Sequence, residues 1–389
     1  MSSLVTRAES GPGVTVHPMR TLRGAGSSEA GSSPGGSPGP VTIMDVAVQM
    51  APVADENDNY LYILLPYFNY CAYAQRKKLF YEFVERIKDE PGIRIVVSEA
   101  ILVTEPEEHQ KAQALLPMCG VWKHLRYTTK NALWIKENCL NLAVKQLPES
   151  WKYVAWVDAD LVFYNKSWVA DTIESLKKYD ISQMFFKCDF LGPNNEVLKE
   201  DTSFGYLHVE SKAEPYWPGK KYAKFRHPGY CFAYTRKAYV QMKGFPDWCI
   251  LGSADHHMAL ALIGKVNCSH PNDIHPIYKQ KLLDFEARCK GLTLGYVPMR
   301  IGHMWHGSAN SRVYTARWFI LTENKYDPSE DITKNEFGLV QLTEEGSRLE
   351  RPLRVYFSVR KEDYGTTVTA PENYDKTDFK KLFTQMKII

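Results

Sequence analysis

The sequence predicts an α/β domain with a mostly parallel central sheet and helices on both faces. Two observations predict it. Apolar, β-type runs alternate with amphipathic helical patterns from about residue 59 to residue 187, which is the signature of strands joined by crossover helices. The chain, at 389 residues, is also long enough to bury one large core of this kind.

The elements follow in order. "YLYILLPYFN" reads as a buried strand, and "AQRKKLFYEFVERIK" places Leu79, Phe80, Phe83, Val84 and Ile87 at helical spacing. "GIRIVVSEA" is a second strand, and "KNALWIKENCLNLAVKQL" a second amphipathic helix closed by Pro148. "KYVAWVDAD" is a strand, "SWVADTIESLKKY" a helix with Ser167 as N-cap, and "DISQMFF" a strand. After Lys187 the pattern loosens, and the stretch between Phe190 and Pro228 reads as one long functional loop. A strand "GYCFAYT", a short helix "RKAYVQMKG" and a helix entered at Ser253 follow. Three regions result: a disordered Ser/Gly/Pro-rich segment 1–50, a domain over 58–322, and a C-terminal extension 323–389 packed on it.

Composition excludes some functions. A net charge of +3 offers no basic face for nucleic acid. No apolar run approaches the roughly 20 residues that span a bilayer, and no secretory h-region follows the start. The cysteines form no C-x-x-C pair, so a finger-type zinc site is not expected, and several sit in apolar runs as small core residues of a reducing, cytoplasmic setting. The sequons at Asn165 and Asn267 are then chance matches.

The strand "YVAWV" runs directly into Asp158-Ala159-Asp160. Buried carboxylates need a partner or a metal. If the extended geometry continues through Ala159, both point to one face and converge on one ligand. Hard oxygen ligands at the carboxyl end of a central strand suit Mg²⁺ or Mn²⁺. A haloacid-dehalogenase-like phosphatase also carries D-x-D-x-[TV], with the first Asp as nucleophile, but it needs a later acidic pair, and the sequence contains neither Gly-Asp nor Asp-Asp.

Several stretches together resemble metal-dependent glycosyltransferases of the GT-A fold, whose central sheet is Rossmann-like. These are "LLPYFN", "KENCLNLAV", "VDADLVF", the segment "GYCFAYTRKAYVQMKGFPDWCILGSADHHMALALIG", and "RIGHMWHG". The motif order is that of β-galactosyltransferases, the wording is nearest to uncharacterised glycosyltransferases of large viruses and microbes, and the overlap runs from Tyr60 to Trp318. The resemblance implies a nucleotide-sugar donor, UDP-linked in that family, and a glycan or glycoconjugate acceptor. It implies a divalent metal on Asp158, Asp160 and His303, and donor contacts from Pro66, Phe68, Asn69, Lys136, Asn138, Asp158 and His306. Arg76 is a further candidate on the nucleotide side. Asp255 carries over as the acceptor-binding general base, with His256 and His257 as alternative bases and Trp248, Trp305 and Trp217 as flat faces for sugars. The chain departs from the family where an adjacent acidic pair is expected, since Asp255 is followed by two histidines. A non-catalytic nucleotide-sugar or glycan-binding module is the alternative.

Overall fold

The computed structural model describes residues 58–210, 227–307, 314 and 316–363. The segment 1–50 and Trp217 lie outside the described residues. Strands β1 (Leu61–Phe68), β2 (Ile93–Leu102) and β3 (Val121–Thr129) run parallel, with α1 (Ala74–Ile87) and α2 (Glu107–Gln113) between them. Helix α3 (Lys136–Val144) leads into β4 (Tyr153–Val157), which lies parallel to β1 on its other side. The chain then enters a second sheet at β5 (Leu161–Phe163) and returns through α4 (Trp168–Leu176) to β6 (Ile181–Gln183). β7 (Lys187–Leu191) and β8 (Val197–Thr202) form a hairpin of the second sheet, followed by α5 (Phe204–Glu210).

Strand β9 (Cys231–Thr235) inserts antiparallel between β4 and β6. After α6 (Arg236–Met242), α7 (Ala254–Leu262) and α8 (Pro276–Cys289), β10 (Leu294–Tyr296) pairs parallel with β6 and β11 (Arg300–His303) joins the second sheet. The main sheet has the order β10-β6-β9-β4-β1-β2-β3, and the second β5-β11-β7-β8. Helix α9 (Phe319–Glu323), the hairpin β12 (Ile332–Lys334) and β13 (Val340–Leu342), and α10 (Glu350–Val359) complete the described chain. The fold is therefore the expected α/β arrangement with a central, mostly parallel sheet.

Alternation within the strands explains the layers. Tyr62, Leu64 and Phe68 of β1 and Val154 and Trp156 of β4 pack into the cluster that α3 covers. Leu61, Ile63, Leu65, Ala155 and Val157 face the opposite cluster, covered by Phe80, Phe83, Val84 and Ile87 of α1. Burial on both faces is why these strands read as continuous apolar runs.

Some elements differ from expectation. Helix α3 starts at Lys136 because Trp134 N is bonded to Ile250 O, which holds the preceding residues out of the helix. Ser167 occupies the N-cap of α4, but its hydroxyl bonds the side chains of Asn165 and Asp171 instead of the backbone. The expected long loop contains β8, whose Val197 to Glu200 are exposed on the sheet edge, so no alternation marks it. Helix α8 is an addition to the expected elements, with Tyr278, Leu282, Phe285 and Cys289 at helical spacing behind Pro276.

Residues 323–363 are part of the main core. Leu339, Val340, Leu353, Tyr356 and Phe357 belong to the same buried cluster as β1 and β4. Asn138, expected on the nucleotide side, hydrogen-bonds across this junction. Its Oδ1 accepts from Val340 N at 2.9 Å, and its Nδ2 donates to Gly338 O at 3.1 Å. Asn138→Ala strands buried backbone groups and should cost about 1–3 kcal/mol in urea denaturation. A loss below about 0.5 kcal/mol, the range of ordinary surface changes, would show that the junction does not depend on it.

Candidate active site

The two aspartates lie on a turn between the sheets. Asp158 N donates to Tyr230 O at 2.9 Å, extending the β4–β9 pairing, and Met304 N donates to Asp160 O at 2.7 Å beside the β5–β11 pairing. Extended geometry stops at Val157, so Asp158 and Asp160 do not share a strand face, contrary to the spacing argument. Their side chains part. Asp158 Oδ1 accepts from Lys136 Nζ at 2.5 Å, while Asp160 Oδ2 lies 2.8 Å from His306 Nε2 and 3.5 Å from His303 Nε2.

Strand register puts His303 opposite both Leu161 and Phe190. Its ring stacks on Phe190 at 4.8 Å and packs against Tyr230 at 4.9 Å, so its rotamer is held on two sides. Ligand atoms of Asp160, His303 and His306 fall within 4.8 Å of one another. One carboxylate and two imidazoles are a donor set that fits a divalent transition metal. This set differs from the expected Asp158, Asp160 and His303 by holding His306 in place of Asp158, because the turn at Ala159 sends Asp158 toward α3.

Lys136, the first residue of α3, is buried with its ammonium 3.9 Å above the Trp156 ring. Burial opposes its charge, and the surrounding carboxylates of Asp158, Glu137 and Asp255 more than offset that, so its pKa is raised. Burial also raises Asp158, against the pull of Lys136 and with the push of Asp160. Glu137 is buried, and burial pushes its carboxyl up to about 8 against the attraction of Lys136.

Asp255 sits in the first turn of α7, behind Ser253 in the left-handed region at φ 71°. Its Oδ1 accepts from His256 N at 2.8 Å. Its Oδ2 lies so near Gly229 that an added Cβ there would be 2.6 Å away, which brings the carboxylate to the strand end that also holds Asp158 N. Burial holds the His256 imidazole below its usual range, opposed by Asp255. His257 is fully buried between Ser269 Oγ at 2.7 Å and Tyr278 OH at 3.0 Å, tying α7 to α8.

The other expected residues are placed as follows. Pro66 is half-buried in β1, and Phe68 packs on Tyr70, Trp134 and Phe357. Asn69 closes the β1–α1 turn, accepting from Tyr73 N at 2.9 Å and donating to Tyr73 O at 2.9 Å. Trp248 is half-buried, edge-on to Tyr278 at 4.8 Å. Trp305 is half-buried beside Phe190, with its carbonyl accepting from Gln75 Nε2 at 3.0 Å. Arg76 makes a two-pronged ion pair with Glu362, at 2.7 Å through Nε and 2.5 Å through the terminal nitrogen.

Sequence reading missed the charged cluster around α10. Arg360 Nε also donates to Glu362, at 2.7 Å. Burial alone would raise the Glu362 carboxyl, but Arg76 and Arg360 hold it well below its usual range. The Asp363 carboxylate accepts from Ala74 N and Gln75 N at 2.9 and 2.7 Å, capping α1. No local pattern could have paired Arg76 with Glu362 or Asp363 with the start of α1, which lie 286 to 289 positions apart.

Comparisons add a loose structural likeness. No family profile matches the sequence, and no curated protein matches it. The catalytic domain of Drosophila β1,4-galactosyltransferase 7 with xylobiose is similar at TM-score 0.28 and 12% identity, over 61% of this chain and 65% of that one. A mutant of the same Drosophila enzyme with manganese, UDP-Gal and xylobiose gives 0.27 and 12% over the same shares. Galactosyltransferase LgtC with donor and acceptor sugar analogs gives 0.27 and 13%, over 80% of this chain and 98% of that one. The chain thus spans just under two thirds of the Drosophila domain. Scores of this size assign neither family nor activity.

Two outcomes test this geometry. Gly229→Ala places a methyl against Asp255 and should displace that carboxylate at a cost of about 1–3 kcal/mol, visible as a shifted His256 imidazole resonance. An unchanged His256 signal would refute the contact. The second concerns pH. The folded state keeps the Glu137 proton that an unfolded chain releases above its ordinary value of 4.5, so this group's stabilising contribution declines as pH rises from 4.5 to about 8. Glu137→Gln removes that decline and should flatten the stability curve over this interval. Parallel curves for the two proteins would show that Glu137 is ionised throughout.

Proposed function

We propose that this protein is a metal-dependent GT-A glycosyltransferase, transferring a hexosyl or pentosyl group from a nucleotide-diphosphate sugar to a hydroxyl of a glycan or glycoconjugate. The observation that carries the reading is the grouping of Asp160, His303 and His306 at the strand end that also presents Asp158 and Asp255. The motif order, from "LLPYFN" through "VDADLVF" to "RIGHMWHG", points the same way and favours uridine as the base.

Asp160, His303 and His306 would hold the metal, and two imidazoles favour Mn²⁺ over Mg²⁺. When bound, the ion would neutralise the departing diphosphate. Lys136 holds Asp158 in place at the donor side through its ammonium. Asp255 is the group to take the acceptor hydroxyl proton, and Gly229 leaves its Oδ2 room to do so. Trp305 and Trp248 offer half-buried faces for sugar stacking. With a carboxylate base acting directly on the acceptor, the anomeric centre inverts.

The phosphatase alternative is weaker, because the groups beside Asp160 are imidazoles and not the acidic pair that chemistry uses. Thermal shifts with UDP and Mn²⁺ test the reading. A ligand at a hundredfold excess over its dissociation constant stabilises by about 2.7 kcal/mol, and Asp160→Asn should abolish that shift. Asp255→Asn should keep the shift and lose turnover. Binding without turnover by the wild type would favour the binding-module reading. No shift with any nucleotide diphosphate would retire the proposal, and a product of retained configuration by proton NMR would remove Asp255 as base.

A further inference from the structure

Three arginines gather where α10 meets the β1–α1 turn and the start of α7. Glu362 answers two of them, Arg76 and Arg360. Arg317 has no such answer. It is 5% exposed, and among the described residues no carboxylate is paired with it. One terminal nitrogen donates to Tyr356 OH at 2.9 Å and the other to Ser253 Oγ, while its Nε has no hydrogen-bond partner. Arg360 donates to the same Tyr356 hydroxyl, at 3.0 Å. A single phenol therefore separates two buried guanidinium groups, and the field is strong enough to draw the Tyr356 hydroxyl down against its burial.

The start of α7 adds to this. Ser253 stands at its N-cap with its hydroxyl accepting from Arg317 instead of capping the backbone, so the guanidinium lies beside the positive end of the helix. Asp255, on that first turn, is engaged with His256 N and directed at Gly229. Gly252, at φ 86°, packs directly on this group, since a Cβ there would come within 3.2 Å of the Arg317 guanidinium and 3.4 Å of the Trp134 ring. A buried guanidinium with its Nε–H unused and no carboxylate beside it keeps a charged donor for a carboxylate or phosphate oxygen.

We propose that Arg317, backed by Arg360 and the start of α7, is a binding site for an oxyanion, distinct from the Asp160–His303–His306 set. Two sources share this chemistry: the diphosphate of a nucleotide donor and the acid group of a charged acceptor sugar. The inference does not depend on a metal, so it is separable from the transferase reading.

The test is calorimetric titration in EDTA with inorganic pyrophosphate and, separately, with D-glucuronate. Wild-type protein should bind one of them with one-to-one stoichiometry, and the one bound names the source. Arg317→Met should weaken that binding at least tenfold. Arg317→Lys, which keeps the charge and loses the fork, should weaken it less. Asp160→Asn should leave it unchanged. Absence of binding of either probe by the wild type at millimolar concentration overturns the proposal, as does equal binding by Arg317→Met. Loss of binding in Asp160→Asn would place the anion on the Asp–His–His set and overturn it too. Should Arg317→Met fail to fold, the wild-type, Arg317→Lys and Asp160→Asn titrations decide.

Discussion

The chain leaves the main sheet at Asp158 and enters the second sheet at Leu161, and the site depends on how that step is held. Asp158 N bonded to Tyr230 O fixes one end, and Met304 N bonded to Asp160 O fixes the other. With the backbone pinned at both ends, the side chains have no common face. Asp158 turns to the buried ammonium of Lys136, and Asp160 to the imidazoles of His303 and His306. A single D-x-D stretch thus serves two electrostatic partners, one from the helix before it and one from a strand that closes against it some 140 residues later.

Charge balance explains the rest of the cleft. Lys136 is encircled by Asp158, Glu137 and Asp255, so its own burial is offset by its neighbours. That arrangement leaves more negative than positive groups on the α3 side, and burial responds by raising Glu137. The α10 side is the reverse, with Arg76 and Arg360 on Glu362 and Arg317 on the Tyr356 hydroxyl. Buried charges of both signs are tolerated only where partners are supplied by packing, and here they are supplied by segments far apart in sequence. Tyr73 illustrates the same joining: its hydroxyl, at the start of α1, donates to the carbonyls of Phe357 and Ser358 at 2.9 and 3.0 Å.

Residues 323–363 consequently act as structure and not as decoration. Phe357 packs edge-on to Tyr70 at 5.0 Å, and Phe68 and Trp134 contact it as well. The aromatic wall at the end of β1 is built partly from this late segment.

What the sequence determined by itself was the periodic part. The alternation in "YLYILLPYFN", the helical spacing in "AQRKKLFYEFVERIK" and the apolar run ending in Asp158-Ala159-Asp160 are local patterns, and local patterns report which face of an element is buried. They placed β1, α1, β4 and α7, and they brought Asp158 and Asp160 forward as candidates, while His303 came from the resemblance. Tertiary structure alone decided the partners. His306 joins Asp160, Asn138 is turned to Val340, His257 is locked between Ser269 and Tyr278, and Arg317 lies against Tyr356 and Ser253. The antiparallel insertion of β9 and the edge strand β8 were also beyond local reading, since strand direction and edge position leave no periodic mark. The physical reason is the same in each case: periodicity encodes burial, whereas ion pairs and strand neighbours are set by contacts that close only when distant segments pack together.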